Sequence, residues 1–273
     1  MKVNQVTLVG CGKMGSAMLQ GWLQDSSLEA DFLVIDPDES NVLCFDGDDR
    51  VKHFSNCASA VESGHRQSTM TVLAIKPQMM DMAIQEMGEI ARGSSSFLSI
   101  AAGISTAYLR KLIGSQATVL RAMPNTPSAI GQGISALYTG NAPDLISSLA
   151  RHLLRSVGKV ELIDDENQMD AVTALSGSGP AYVFLMVEAM SRAGIEAGLS
   201  CDLAKKLSKE TVVGAAALLA ASDSNPSALR KNVTSEGGTT AAALEILMAD
   251  NGLLTLMSKA VAAAKARSIR LGN

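Results

Sequence analysis

The sequence predicts an α/β domain with a parallel-rich, helix-covered sheet, followed by an all-α domain. Three observations carry that expectation. Strand-length apolar runs alternate with helical segments through residues 1–163, no convincing strand follows residue 164, and a glycine-rich loop joins the first strand to the first helix. Alternation of this kind gives a parallel sheet with helices on both faces, because a parallel crossover needs a helix-length connection.

The elements follow in order. A strand at 6–9 leads into a helix at 14–23 and a strand at 32–35. After a polar stretch come a strand at 72–75, a helix at 79–90, a strand at 97–100, a helix at 106–112 and a strand at 118–122. Strands at 134–138 and 159–162 flank a helix at 144–156. The segments 169–175, 181–197, 203–221, 226–231, 239–249 and 253–269 read as helices. Pro180 and Pro226 stand where a first helical residue belongs, and Asn251-Gly252 is a helix stop. The segment from Ala181 is apolar nearly all round, so it must be buried on every side, which in so small a bundle calls for a second subunit.

With 273 residues the chain can hold two domains of ordinary size. A net charge of −4 without a basic patch argues against a nucleic-acid partner. Aromatic residues make up only 3%, whereas Ala, Gly, Leu and Met abound, a composition suited to close helix–helix contact. The chain enters its first strand without a signal-peptide core, and its longest apolar run, 212–221, is about half the length a bilayer requires. No membrane partner and a cytoplasmic location are therefore expected. Cys11, Cys44, Cys57 and Cys201 show no C-x-x-C spacing and no nearby His, so reduced thiols and no metal site are expected. His53, His65 and His152 lie in polar, surface-like contexts and are read as exposed rather than catalytic.

Two segments look built for anions. Gly10-Cys11-Gly12-Lys13-Met14-Gly15 lies between strand and helix, where its glycines would serve the turn, the approach of a pyrophosphate and the packing of helix on sheet. Asp36 closes the second strand about 20 residues further on, where a carboxylate accepts from ribose hydroxyls and repels a 2′-phosphate. No Arg or Lys adjoins it, which leans the cofactor choice between NADPH and NADH towards NADH. At the other end of the chain, Thr234-Ser235-Glu236-Gly237-Gly238-Thr239-Thr240 opens into an apolar helix, a place that can hold a small carboxylate.

Together with Ala74-Ile75-Lys76-Pro77, the run from Arg121 to Pro127 (R-A-M-P-N-T-P) and the run from Ala174 to Tyr182 (A-L-S-G-S-G-P-A-Y), these segments resemble the pyrroline-5-carboxylate reductase family. The likeness spans essentially the whole chain in the family's order. It implies a Rossmann dinucleotide-binding domain over 1–163 and an α-helical substrate-binding and dimerisation domain over 164–273. It further implies hydride transfer from NAD(P)H to the C=N bond of 1-pyrroline-5-carboxylate, giving L-proline, by a homo-oligomer that is at least a dimer, some members forming decamers. By the same resemblance, cofactor contacts fall on Gly10, Cys11, Gly12, Lys13, Met14, Gly15, Asp36, Asn56, Ala74, Ile75, Lys76 and Pro77. The Pro-flanked turn with Asn125 and Thr126 would lie over the nicotinamide.

Substrate contacts fall on Ser235, Gly237, Gly238, Thr239, Thr240 and Asp223, with Thr240 and Ser235 as the catalytic candidates. Thr240 would hydrogen-bond the ring nitrogen, and Ser235 with the following backbone amides would hold the carboxylate. A cyclic imine can arrive already protonated, so the chemistry asks mainly for positioning and no His or Lys acid is required. Two residues depart from the family's pattern: Glu236 stands where Pro is common and Asp223 where Glu is common. Competing readings are a β-hydroxyacid dehydrogenase, whose catalytic Lys would have to come from Lys205, Lys206 or Lys209, and a non-catalytic dinucleotide-sensing protein. The spacing of those lysines suits a solvated face, and the intact threonines of the loop argue against the second alternative.

Overall fold

The computed structural model describes residues 1–272. Eight strands form one sheet: β1 (Lys2–Val9), β2 (Glu29–Ile35), β3 (Val51–Phe54), β4 (Met70–Leu73), β5 (Phe97–Ser99), β6 (Val119–Met123), β7 (Gly133–Tyr138) and β8 (Gly158–Leu162). Their order is β3-β2-β1-β4-β5-β6-β7-β8. Neighbours pair in parallel except β6 and β7, which are antiparallel. The connection 124–132 holds only a short 3₁₀ turn, Thr126–Ile130, so the chain reverses instead of crossing over.

Helices α1 (Lys13–Gln24) and α5 (Asp144–Arg155) cover one face of the sheet. Trp22 at its centre stacks on Phe32 at 5.5 Å, and its indole N–H donates to the Leu153 carbonyl at 2.8 Å. Burial of so large a ring with its one donor satisfied locks α1 to α5. Helices α2 (Cys57–Glu62), α3 (Met80–Gly93) and α4 (Thr106–Ile113) cover the other face, over Leu33, Ile35, Leu73, Phe97 and Val119. The doubly covered sheet is thus the expected one. The polar stretch before residue 70 differs from expectation in containing β3 and α2; β3 is an edge strand whose Lys52 and His53 hide its pairing from an apolar pattern.

Beyond β8 the chain is helical. It continues with α6 (Met169–Val172), a π-helical turn at Thr173–Gly177, α7 (Gly179–Glu196), α8 (Cys201–Ala221), α9 (Pro226–Asn232), α10 (Thr239–Leu247) and α11 (Leu253–Leu271). The chain separates into two compact units, one comprising residues 1–178 with the end of α11 from Ala264, the other comprising 179–263. Compactness thus divides the chain later than 163/164. The reason is that 166–178 adheres to the sheet: Met169 is buried, and Glu166 bonds both Thr106 and Arg121. The end of α11 adheres there too, through Ser268 donating to Asp170 at 2.6 Å.

The second unit has little interior of its own. In α7 and α8 the close approach of Gly194 to Ala204 realises the small-residue packing expected from composition. Yet no residue of α7 or α10 is buried, and Phe184, Leu185 and Ile246 are 61%, 63% and 75% exposed. Apolar surface on that scale marks an association face. Phe184→Glu should therefore yield a smaller species in light scattering coupled to size exclusion, with the spectrum of the sheet domain preserved; an unchanged mass would show that α7 is no part of the assembly.

Candidate active site

The strand order changes direction between β1 and β4, and the loops after these strands meet there. In open α/β sheets this crevice at the carboxyl ends of the strands is where ligands bind. Gly10 sits at φ +90°, a conformation that favours glycine, with its N–H on the Ile35 carbonyl at 2.8 Å. A methyl there would lie 2.7 Å from the Ala74 carbonyl oxygen. A methyl at Gly15 would lie 2.2 Å from the Gly10 carbonyl oxygen, so α1 can approach the loop only without a side chain at that position. At Gly12 a methyl would meet no protein atom within 4 Å. The space in front of Gly12, the N-cap of a helix with no side-chain cap, fits a phosphate drawn to the free N–H groups of the first turn. The loop thus has room and donors for a dinucleotide, on the glycine pattern expected from the sequence.

Asp36 is 6% exposed and already engaged. Its Oδ2 accepts from the Cys11 N–H at 2.5 Å, and its Oδ1 accepts from the Asp38 N–H at 2.9 Å and from Asn41 Nδ2 at 3.2 Å. A carboxylate has about four lone-pair sites, so about one remains, on Oδ2, for a ribose hydroxyl. The same carboxylate pins the glycine loop to the end of β2. Asp38 and Glu39, beside it, add negative charge that sequence reasoning left unused, although the run D-P-D-E displays it. Cys11, in contact with this cluster, is buried; burial and the neighbouring Asp36 charge push its thiol up to about 12. It is packing, not a nucleophile.

Ala74, Ile75, Lys76 and Pro77 follow β4 directly, with the Ala74 N–H on the Val9 carbonyl at 2.8 Å, so they form the other lip of the crevice. Lys76 is exposed there. Asn56 instead caps α2, accepting from the Ser59 N–H at 2.9 Å, on an exposed surface beyond β3. Asn125, after β6, is nearly buried: its side chain accepts from the Ile134 N–H at 2.9 Å and donates to the Ser176 carbonyl at 3.3 Å. Its amide holds the Pro-flanked turn in place rather than standing open to a ligand.

The loop Thr234–Thr240 and Asp223 belong to the second unit. Gly238 N–H donates to the Ser235 carbonyl at 3.1 Å, and Gly237 takes φ +68°, a type II turn with Glu236 at its first corner. The helix α10 then starts at Thr239 with Gly238 as N-cap and no side-chain cap. Thr239 and Thr240 are therefore not capping residues, and among the described residues neither hydroxyl is held by a hydrogen bond. The arrangement presents free backbone N–H groups and two hydroxyls on one short surface. Asp223 is exposed in the bend between α8 and α9. Lys205, Lys206 and Lys209 are all exposed on α8, as a solvated face would be.

The histidines differ from expectation, being partly buried and partnered. His53 Nε2 bonds the Asp36 carbonyl at 2.9 Å, His65 packs on Phe54, and His152 Nε2 pairs with Asp25 at 2.9 Å. None lies on the loops just described. Among the described residues no three His, Cys, Asp or Glu side chains gather as metal ligands, and no helix is long and apolar enough to cross a membrane.

Comparison with known proteins places these segments in context. A family model described as pyrroline-5-carboxylate reductase dimerisation matches residues 166–271, and one described as NADP oxidoreductase, coenzyme F420-dependent, matches residues 5–103. The pyrroline-5-carboxylate reductase of Haemophilus influenzae is 37% identical over 92% of each chain. Among solved structures, a pyrroline-5-carboxylate reductase from Coxiella burnetii superposes with a TM-score of 0.86 at 31% identity, covering 98% of each chain. The NADP-bound pyrroline carboxylate reductase of Plasmodium falciparum superposes with a TM-score of 0.82 at 27% identity, again over 98% of each chain.

Two of these glycines make separable predictions. Gly15→Ala should lower the unfolding free energy by about 1–3 kcal/mol, whereas Gly12→Ala should change it by less than about 0.5 kcal/mol. Urea denaturation of both variants checks this; equal losses would show that the open space at Gly12 is misread.

Proposed function

The chain belongs to the pyrroline-5-carboxylate reductase family, and on that premise we propose how its residues divide the work. It is an NAD(P)H-dependent oxidoreductase that reduces the C=N bond of 1-pyrroline-5-carboxylate to give L-proline, and it is a homo-oligomer. Dimers built through the helical segment 166–271 are the basic assembly, located in the cytoplasm.

The proposed cofactor site is the crevice between β1 and β4. Gly10, Cys11, Gly12, Lys13, Met14 and Gly15 cradle the pyrophosphate, Ala74, Ile75, Lys76 and Pro77 form the facing lip, and Asp36 receives the adenosine ribose. The bound nicotinamide supplies the hydride. NADH is the preferred cofactor, because Asp36, Asp38 and Glu39 set three carboxylates with no Arg or Lys beside them in the run D-P-D-E, where a 2′-phosphate would lie. Asn56 serves only through the start of α2, which it caps, and Asn125 through the turn that it holds.

Substrate binding is proposed for Ser235, Gly237, Gly238, Thr239 and Thr240. The observation that carries this is the uncapped start of α10, with free N–H groups beside unengaged hydroxyls. Those N–H groups and Ser235 hold the carboxylate, while Thr240 Oγ1 bonds the ring nitrogen and orients the C=N carbon. When the imine arrives as its N-protonated iminium, hydride addition to carbon moves the C=N π pair onto nitrogen, and the amine is complete without a further proton. That balance explains why no acid from His or Lys is needed. Asp223 lies nearer the nitrogen side in this reading, with a reach one methylene shorter than the Glu common in the family.

Purified protein with pyrroline-5-carboxylate, followed at 340 nm, should oxidise NADH with kcat/KM about tenfold above that for NADPH, from the unfavourable charge at the 2′ position; the reverse ratio would sink the use made of Asp36. Thr240→Ala should lower kcat by about tenfold or more through lost orientation, with NADH affinity unchanged by titration calorimetry. Loss of cofactor affinity instead would contradict separate sites. Because Glu236 occupies the corner of a type II turn that favours Pro, Glu236→Pro should raise stability by about 0.4–1 kcal/mol and leave the substrate KM equal or lower. A large rise in KM would mean that Glu236 itself has joined the binding surface.

A further inference from the structure

An ionic cluster that joins the buried Arg121 of β6 to the half-buried Glu166 has no part in the roles assigned so far. Arg121 lies two residues before the end of β6 and is 3% exposed. In the sheet register it sits between Ser99 of β5 and Tyr138 of β7. Its Nη1 donates to Glu166 Oε1 at 3.3 Å. Glu166 also accepts from the Thr106 N–H at 2.7 Å and from the Thr106 hydroxyl at 2.6 Å, at the first turn of α4. One carboxylate thus joins β6, α4 and the start of the segment 166–178. Nε and Nη2 of Arg121 are buried without a hydrogen-bond partner among the described residues.

Such a cluster is an expensive way to gain stability. A buried ion pair with unspent donors recovers little of its desolvation cost, and well-packed neutral residues of similar volume often do as well or better. What it supplies is register. The segment that Glu166 anchors runs through α6 into the π-helical turn Thr173–Gly177, where the Ser178 N–H reaches the Thr173 carbonyl at 2.8 Å. That turn returns to β6: a methyl at Gly177 would lie 2.7 Å from Met123 Cε, and the Ser176 carbonyl accepts from Asn125 Nδ2 at 3.3 Å. A sliding of 166–178 along β6 would carry Ser176 and the Asn125 turn with it.

We propose that Arg121, Glu166 and Thr106 are positioning residues whose buried tie sets the π-helical turn and the Asn125 turn in register at the carboxyl end of the sheet, aligning that wall of the site for hydride transfer. The proposal rests on the reading that the Pro-flanked turn with Asn125 and Thr126 lies over the nicotinamide. None of the three touches a ligand. They act through the backbone they hold.

The test separates alignment from stability. In Arg121→Met with Glu166→Gln no charge is left unpaired, and Gln still accepts from Thr106. This double variant should keep its melting temperature within about 3 °C and its NADH dissociation constant within about twofold, while kcat with pyrroline-5-carboxylate falls about tenfold or more, as misplacement by a fraction of an ångström does. Arg121→Lys, which keeps the charge without the planar fork, should fall between this variant and the wild type. A kcat within about twofold of wild type, or a loss of kcat accompanied by equal losses of melting temperature and cofactor affinity, would reduce the cluster to a structural brace and overturn the proposal; so would failure of both variants to fold. Absence of turnover in the wild-type protein would instead overturn the proposed function, and the tie with it.

Discussion

The cofactor side of the molecule depends on one close approach of backbone to backbone. The first turn of α1 presses onto the end of β1 so tightly that a single methyl at Gly15 would meet the Gly10 carbonyl oxygen at 2.2 Å. Gly10 in turn lies against the Ala74 carbonyl after β4. Removing side chains at these points lets β1, β4 and α1 converge on a seam lined by main chain, at the place where the strand order reverses. The helix N-terminus then faces outward with its N–H groups unspent, which is the electrostatic requirement for holding a phosphate. The Asp36 carboxylate fastens the outer side of the seam through the Cys11 N–H. Packing and binding here are one constraint seen from two sides.

Much of this was legible in the sequence because the signals were local. Strand, glycine loop and helix followed one another within residues 6–23, and apolar alternation announced the sheet as far as β8. Where pairing was decided by distant partners, the pattern failed. β3 is an edge strand with Lys52 and His53 in its middle, so no apolar run declared it. The reversal at β7 depends on the short connection 124–132 that only the fold reveals. The segment 169–175 read as plain helix, yet it widens into a π turn whose Ser176 carbonyl accepts from Asn125, 51 residues earlier in the chain. The histidines read as surface residues because their partners, Asp25 and the Asp36 carbonyl, are remote in sequence or belong to the backbone.

At the candidate site the sequence marked segments by residue type and spacing, but the partners of each side chain were not legible in it. Asp36 was read as a ribose partner, and it also spends two bonds on its own loop and one on the glycine loop. Asn125 was read as a cofactor contact, and its amide is occupied by Ile134 and Ser176. Thr239 and Thr240 lie inside α10, past its N-cap Gly238, so neither hydroxyl is spent on capping the helix. Side-chain chemistry indicates what a residue can do; only its partners in the fold decide how much of that capacity remains for a ligand.

The helices between 179 and 263 carry a further consequence. With no buried residue in α7 or α10, this unit gains little from hydrophobic burial within one chain. The free energy that orders it comes from association with further copies, so the stability of this part depends on chain concentration. Its melting temperature would then climb with protein concentration while that of an isolated sheet domain would not. In a dilute cell extract the catalyst would be lost by dissociation before any strand of the sheet came apart.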